Sequence, residues 1–143
     1  MNKLKFSIIL IAVVCTVNFG FSQVGINTTS PLSTLDINGN LSVKTITLVG
    51  SGSPTLISDG VYISVNPQVT NQEFKLPNPV TFPGRIYVIR NINNTVTAKL
   101  TTVGSSLLFP KNSTTGSTEI YMYEGVLRTV IVISDGLNWT YIN

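Results

Sequence analysis

The side chains that could carry acid–base or nucleophilic chemistry are few in this sequence. Its 143 residues include six carboxylates, no histidine and one cysteine. Without histidine, Ser-His-Asp and Cys-His arrangements and His-ligated zinc or haem are excluded. A glycosidase needs two carboxylates about 5 to 10 Å apart, and the six are scattered along the chain as Asp36, Asp59, Glu73, Glu119, Glu124 and Asp135. The inventory predicts no catalytic residues and a protein that is not an enzyme.

One short segment spaces oxygen ligands as a calcium loop does. Asp36, Asn38 and Asn40 stand at alternate positions, which is how an EF-hand loop begins. The sixth position is then Leu41, where that loop needs glycine, and the twelfth is Thr47, where it needs glutamate. We therefore expect an Asx turn here, with no metal and no other cofactor.

Tyrosines are the remaining candidates for binding, because aromatic faces pack on the apolar faces of sugar rings. Tyr121 and Tyr123 alternate with Ile120 and Met122, so one of these two sets must face away from the core of a β structure. If the tyrosines face outward, Tyr121, Tyr123 and Tyr87 are the candidate surface for a glycan or another cell-surface ligand. We expect Trp139 to pack in the core.

The first residues of the chain have the features of a signal peptide. Lys3 and Lys5 form a positive start, residues 6–17 are apolar, and the small residues Gly20 and Ser22 fit a peptidase site. We expect residues 1–22 to be removed on export, which leaves no stable membrane insertion. Loss of Cys15 with this segment would leave no disulfide to stabilise the rest.

The basic residues do not indicate a nucleic-acid partner. Without the signal peptide, seven basic side chains oppose six acidic ones, a net charge of +1. Arg85, Arg90 and Lys99 fall close together in the predicted strands, but binding a nucleic acid would need several more cations that reach phosphates. We expect no nucleic acid to bind.

The composition after residue 22 predicts an all-β fold. Runs of β-branched residues recur between Gly, Pro, Asn and Asp clusters, with strands every 8 to 12 residues. This spacing predicts an antiparallel β-sandwich or a barrel-like module over residues 54–143. Residues 24–39 are turn-rich, residues 40–49 alternate as one strand, and residues 50–53 are glycine and serine. This pattern predicts a short N-terminal stem and linker over residues 23–53.

Three hairpins are predicted from the turn residues. Asp135-Gly136 suits a two-residue turn and would pair Ser134 with Leu137 and Val132 with Trp139. Asp59-Gly60 predicts a hairpin between residues 55–57 and 61–65, and Asn93-Asn94 one between residues 85–91 and 95–103. Short strands are expected at residues 72–76 and 119–123, with a proline-rich connection outside the ladders at residues 76–84.

One predicted strand is apolar on both faces. It contains Val130, Ile131, Val132 and Ile133, and such a strand is expected inside a sandwich or at a subunit contact. A disulfide-free β protein of low charge gains stability if this strand meets another subunit. The alternative is the central strand of a monomeric sandwich.

Two stretches resemble known patterns. Residues 24–31, VGINTTSP, with residues 35–40, LDINGN, resemble the VGIGTTSP…LDVNG motif that opens the shaft of many bacterial and phage tail-fibre-like surface proteins. The segments LPNP…PGRIYVIRN and ISDGLNWTYI, between residues 76 and 142, resemble modules of the same proteins. The resemblance implies an exported, β-rich fibre- or adhesin-like protein, trimeric and without enzymatic activity.

Together these observations predict an exported structural or adhesin-like protein that acts through homo-oligomeric assembly and surface attachment. A trimer is favoured, and the location expected is the cell surface or exterior of a Gram-negative bacterium. The alternative is a monomeric secreted carbohydrate-binding module that uses exposed tyrosines. An open apolar strand face would favour the first, and an exposed aromatic pair the second.

Overall fold

The computed structural model describes residues 24–30 and 34–143. The predicted signal peptide lies outside the described residues. The chain divides into two compact units, Met1–Ser42 and Val43–Asn143. Within the described part of the chain, no helix is long and apolar enough to cross a membrane.

The first unit contains a short parallel ladder. Strand β1 (Val24–Ile26) pairs with strand β2 (Leu35–Ile37). After β1, Asn27 has a φ of 57°, and its side-chain amide donates a hydrogen bond of 3.0 Å to the Asn38 carbonyl. Asparagine tolerates this left-handed backbone better than most residues. Both strands carry parts of the first fibre-like motif.

The second unit consists of ten strands in two sheets, which confirms the predicted all-β, sandwich-like fold. One sheet has six strands in the order β3-β5-β7-β11-β12-β9, and the other has four in the order β10-β8-β6-β4. The strands are β3 (Thr45–Val49), β4 (Thr55–Leu56), β5 (Tyr62–Asn66), β6 (Gln72–Lys75), β7 (Ile86–Asn91), β8 (Ala98–Thr101), β9 (Leu108–Pro110), β10 (Glu119–Met122), β11 (Thr129–Ser134) and β12 (Trp139–Ile142).

The chain changes sheet at almost every turn. From β3 to β11, successive strands belong alternately to the six-stranded and the four-stranded sheet. Sheet neighbours such as β3 and β5, or β4 and β6, are therefore separated in the chain by one strand of the other sheet. That strand supplies the long crossover that parallel strands require. The pairs β3–β5, β5–β7, β4–β6 and β6–β8 are parallel. The sheets are thus mixed, and the purely antiparallel arrangement expected from sequence is wrong.

The inward faces of the two sheets form one hydrophobic core. Each strand alternates buried and more exposed residues, as the pleat requires. The largest buried side chain is Trp139, whose ring centroid lies 5.8 Å from that of Tyr87. The cluster consists of Ile57, Ile63, Val65, Phe74, Leu76, Tyr87, Ile89, Ala98, Leu100, Leu108, Ile120, Met122, Val130, Val132 and Trp139. The core position predicted for Trp139 is confirmed.

A buried asparagine joins the two sheets. Asn91, at the end of β7, is fully buried, and its amide nitrogen donates hydrogen bonds of 2.9 Å to the Val96 and Met122 carbonyls. Its side-chain oxygen accepts from the Asn93 amide at 3.0 Å. Met122 ends β10 of the four-stranded sheet, so this side chain connects the sheets by polar contacts inside the core.

Two of the predicted hairpins are wrong because their turns cross between sheets. Asp59-Gly60 leads from β4 in the four-stranded sheet to β5 in the six-stranded one, and Asn93-Asn94 leads from β7 to β8 in the reverse sense. Gly60 has a φ of +79°, a conformation that glycine adopts readily in either kind of turn. The hairpin of residues 85–91 and 95–103 would place Tyr87 and Leu100 in the same sheet, whereas they lie in different sheets and both face the core.

The third hairpin exists with a longer loop. Strands β11 and β12 are antiparallel, but Ser134 pairs with Trp139 and Val132 with Tyr141, a shift of two residues from the predicted register. The Asp135 carboxylate accepts hydrogen bonds from the Leu137 and Asn138 amides at 2.7 and 2.6 Å, which closes a loop of four residues. A shift of two preserves which side chains share a face.

The short strands and the proline-rich connection agree with the sequence-based predictions, whereas the end of the predicted stem does not. Strands β6 and β10 lie where short strands were expected, and the proline-rich connection contains a 3-10 turn at Pro79–Thr81 in place of a ladder. The predicted stem extended to residue 53, but β3 pairs with β5, and the second compact unit begins at Val43. Residues 43–53 are therefore part of the sandwich-like unit.

Candidate functional site

The six-stranded sheet has an apolar outer surface at one end. Because Ile63, Tyr87, Ile89, Val130 and Val132 face the core, the residues that alternate with them point away from it. Register aligns these outward residues in rows across the strands. We call the apolar residues of two such rows the apolar face. One row has Tyr62, Val88, Ile131 and Ile142; the other has Ile86, Ile133 and Phe109, with Thr140 between Ile133 and Phe109.

Several side chains of the apolar face are open to solvent in a single chain. Ile86 is 47% exposed, Ile131 37% and Ile142 36%. The other four are half-buried by their neighbours on the sheet. The opposite end of the same outer surface is polar, since the next row contains Ser64, Arg90 and Thr129. The sheet therefore has an apolar patch with a polar border on that side.

The predicted subunit contact is divided between the core and this surface. Val130 and Val132 are fully buried inside the protein, so they are not accessible to a partner, and their expected role at a subunit contact is wrong. Ile131 and Ile133 point outward and belong to the apolar face. The sequence did not single out Ile86, Val88, Phe109 and Tyr62, which only the strand register brings to the same surface.

The four-stranded sheet has an outer surface of different chemistry, which we call the charged face. Phe74, Leu100, Ile120 and Met122 are buried on its inner side. The side chains that alternate with them point outward in two rows, and register aligns one residue of each of three strands in each row. The first row is Glu73, Lys99 and Tyr121; the second is Lys75, Thr101 and Glu119.

The groups on the charged face bond to one another. The Lys75 ammonium lies 3.3 Å from the Glu73 carboxylate, and the Lys99 ammonium lies 3.5 Å from that of Glu119. The Thr101 hydroxyl donates a 2.7 Å hydrogen bond to Glu73. This bond, followed by the contribution of the Lys75 ammonium, holds the pKa of the Glu73 carboxyl below its usual value.

Tyr121 and Tyr123 lie side by side next to these charges. Their ring centroids are 6.1 Å apart with an angle of 25° between the planes, and Tyr123 is 49% exposed. The Tyr121 hydroxyl donates a 2.7 Å hydrogen bond to Glu119, which raises the pKa of that hydroxyl. The hydrogen bond and the neighbouring ring together restrict how the Tyr121 side chain can move.

Tyr87 does not belong to this surface, and its predicted role in binding is wrong. It is fully buried, and its hydroxyl accepts a 3.3 Å hydrogen bond from the Arg85 guanidinium. That guanidinium carbon lies 3.8 Å from the centre of the Phe82 ring. Arg85 therefore covers the polar end of a core tyrosine. Of the tyrosines singled out in the sequence, the structure brings together Tyr121 and Tyr123.

Two cavities open among the loops of the second unit. One, of about 460 Å³, is lined by glycine and serine residues 50–53 together with Gln68 and Gln72. The other, of about 530 Å³, is bordered by Asn78, Asn138 and serine residues 105 and 106. Across the residues that the structure describes, no three His, Cys, Asp or Glu side chains form a group that could hold a metal ion.

The polar lining of the first cavity serves the fold. The buried Gln72 side chain accepts a 2.6 Å hydrogen bond from the Gln68 amide and donates one to the Ser51 carbonyl. A Cβ atom on Gly50 would overlap the Gln72 amide. These contacts tie two loops together and engage both polar atoms of the Gln72 amide in the fold.

Comparison with known proteins gave no match. No family model fits the chain, and neither the curated proteins nor the solved structures include one that matches it. What can be inferred about function therefore rests on the two outer faces and on the sequence motifs.

Proposed function

We propose that this chain is an exported structural or adhesin-like protein, without catalytic activity of its own, that works as a homo-oligomer. The apolar face is the observation that supports the proposal. A sheet with one face in a core and the other in water alternates apolar and polar residues, whereas β7 and β11 carry aliphatic residues on both faces at this end. A contiguous exposed apolar patch with a polar border is typical of an interaction site.

A second copy of the chain is the occupant that we propose for the apolar face. The one cysteine in the sequence, Cys15, lies in the predicted signal peptide, so the exported protein would have no disulfide to stabilise it. Burial between subunits is one of the remaining sources of stability. Arg90 is the charged residue nearest the patch on the same strand, and it stands in the polar row, so two apolar faces can meet without burying a like-charged pair.

The number of subunits and the location follow from the resemblance to tail-fibre-like surface proteins. It supports a trimer attached to, or released from, the surface of a Gram-negative bacterium. The first motif of that resemblance coincides with β1, β2 and the turns beside them.

Light scattering on the purified full chain at several concentrations tests the proposal. We expect a mass of three subunits that does not change with concentration. Ile131→Glu places a carboxylate in the apolar face and is expected to give a folded monomer, because a charge buried at an interface without a partner is costly. Thr129→Glu is the matched control, since it lies two residues away on the same outer surface, opposite Arg90, and should leave the mass unchanged.

A wild-type monomer at all concentrations would overturn the proposal. So would a wild-type oligomer that Ile131→Glu does not dissociate, because the contact would then lie elsewhere on the molecule. The thermal unfolding temperature of each variant distinguishes loss of assembly from loss of the fold.

The outward-facing pair of Tyr121 and Tyr123 favours a second candidate function, a monomeric secreted carbohydrate-binding module. Aromatic side chains with a polar end combine apolar contact area with hydrogen bonding. A monomer that binds a glycan through these tyrosines would support this function over the first.

A further inference from the structure

The tyrosine pair is positioned before any ligand arrives. The Tyr121 and Tyr123 rings are nearly parallel, and the hydroxyl of Tyr121 is held by the Glu119 carboxylate. Side chains already restricted in this way lose less freedom on binding than side chains free in solution. The pair follows from extended backbone, in which residues two apart share a face; Tyr121 is in β10, and Tyr123 is the residue directly after its end.

The charged face beside the rings presents donors and acceptors in alternation. Glu73 and Glu119 carry carboxylates, which only accept hydrogen bonds, while Lys75 and Lys99 carry ammonium groups, which only donate. A sugar hydroxyl both donates and accepts, so it can bond to either kind of group. Hydrogen bonds to charged groups are stronger than those between neutral ones.

The equal numbers of carboxylate and ammonium groups on the charged face favour an uncharged ligand. The two carboxylates and two ammonium groups of this face pair with each other at 3.3 and 3.5 Å, so they leave no excess of either sign. An anionic polymer would meet one repulsive carboxylate for each lysine. The core of a protein–protein interface is depleted in charged residues, so a protein partner fits the apolar face better than this one.

The shape of the face favours a chain of sugars over a single one. The two rows cross β6, β8 and β10, and neighbouring strands lie about 4.8 Å apart. The polar groups and rings therefore extend further than one sugar ring, along a sheet surface open to solvent. Of the six residues in the two rows, Glu73 also lines the cavity beside Gln72, whereas the other cavity contains none of them.

We propose that the charged face, with Tyr121 and Tyr123 at its edge, binds an uncharged glycan chain. The rings pack on the apolar faces of one or two sugar units, and Glu119, Lys99 and Glu73 bond to hydroxyls of the units that follow. This inference deepens the second candidate function by naming the class of ligand and the residues. It does not require the oligomer of the first, and an oligomer would add avidity by presenting several such faces at once.

Nuclear magnetic resonance titration of the full chain with short oligosaccharides tests the site. The probes are the hexasaccharides of β-1,4-glucose, β-1,3-glucose, β-1,4-mannose and β-1,4-N-acetylglucosamine, with a galacturonic acid hexasaccharide as the anionic comparison. We expect at least one neutral probe to shift the resonances of Tyr121, Tyr123 and their neighbours on β8. A short probe occupies one site at a time, so the result does not depend on the number of subunits.

Substitutions show whether the rings carry the binding. Tyr121→Ala combined with Tyr123→Ala should weaken the affinity for that probe by about tenfold or more, while the two Phe replacements keep the rings and most of the affinity. Thr129→Ala is the control, because Thr129 is an exposed residue of the polar row on the outer side of the other sheet and belongs to neither proposed contact, so the affinity should not change.

Three outcomes would overturn the inference. They are binding of the galacturonic acid hexamer alone, the absence of binding by all four neutral hexamers, and neutral binding that survives the double alanine replacement. Light scattering on the same samples reports the oligomer separately, so failure of this site and failure of the assembly proposal are distinguishable.

Discussion

On the six-stranded sheet, the side chains that point away from the core are largely aliphatic at one end, as in Ile86, Ile131 and Ile142. On the four-stranded sheet, the corresponding positions of β6, β8 and β10 hold Glu, Lys, Thr and Tyr, and the edge strand β4 adds one exposed aliphatic residue, Leu56, beside Lys75. The inner sides of the two sheets, in contrast, are alike, since both contribute aliphatic and aromatic residues to one core.

This difference is informative because folding does not require it. Core packing constrains only the inner side chains, and a water-facing outer surface is served well by residues such as those of the charged face. The aliphatic residues of the apolar face contribute little to the core and expose apolar area, so their presence is explained best by something that covers them. The charged face can remain in contact with water. Its unusual feature is the pair of rings of Tyr121 and Tyr123.

The inward and outward residues of β11 give the strongest test of the comparison. Val132→Asp buries an unpaired carboxylate in the core and should destabilise the fold by about 3–5 kcal/mol, enough to abolish folding of a marginally stable domain. Ile133→Asp places the same group on the apolar face and should leave a folded protein that no longer assembles. Urea denaturation and light scattering measure the two effects.

A soluble Val132→Asp protein with an unchanged unfolding midpoint would show that the inner and outer sides of β11 are assigned incorrectly. Failure of Ile133→Asp to fold would show that the apolar face belongs to the interior of the protein. The two variants differ by one position on one strand, so strand propensity cannot explain a difference between them.

The contact between the sheets is tested at Asn91. Asn91→Ala removes the hydrogen bonds that the half-buried Val96 and the buried Met122 carbonyls accept from this side chain, and it should lower the free energy of unfolding by about 2–4 kcal/mol. Asn112→Ala changes an exposed asparagine of a surface loop and should stay within about 0.5 kcal/mol of wild type. Urea denaturation of both variants gives the comparison.

A loss at Asn91 no larger than that at Asn112 would contradict its role as a link between the sheets. If Asn91 links the sheets, the two sheets unfold as one cooperative unit. The unfolding transitions measured by tyrosine and by tryptophan fluorescence should then have the same midpoint. Trp139 reports on the six-stranded sheet, whereas the tyrosine signal also includes Tyr121 and Tyr123 beside the four-stranded sheet, so coincident transitions are expected for one cooperative unit.

Local patterns predicted much of the fold, since alternation and turn residues are local properties. The fold class, the core position of Trp139 and the division of β11 into two faces follow from period-two alternation. The sheet to which each strand belongs could not be predicted from these local patterns, because Asp59-Gly60 allows both a hairpin and a crossing between sheets. Which of these forms depends on contacts with strands far along the chain.

The candidate surfaces were partly predictable for the same reason. Tyr121 and Tyr123 share a face at any strand register, so their pairing could be expected. Tyr87 was assigned to the wrong side because β7 reads Ile-Tyr-Val-Ile, which is apolar on both faces and gives no sign of which is inner. The apolar face collects residues from five strands, and only the observed register brings Phe109 and Tyr62 to the same surface as Ile131.

Acidification should lower the stability of the protein through Glu73 on the charged face. This is the smallest of the predicted effects. The pKa of its carboxyl is lowered in the folded protein, mainly by the Thr101 hydroxyl, so the ionised form stabilises the fold above pH 4.5 and this contribution is lost as the pH falls through the lowered value. Thr101→Val should raise the pKa of Glu73 toward 4.5 and remove about 0.5–1 kcal/mol of stability at pH 7. Thr129→Val, on the outer side of the other sheet, should change neither quantity. Carboxyl resonances followed by nuclear magnetic resonance between pH 2 and 7 give the pKa, and an unaltered Glu73 titration in Thr101→Val would contradict the hydrogen-bond assignment on that face.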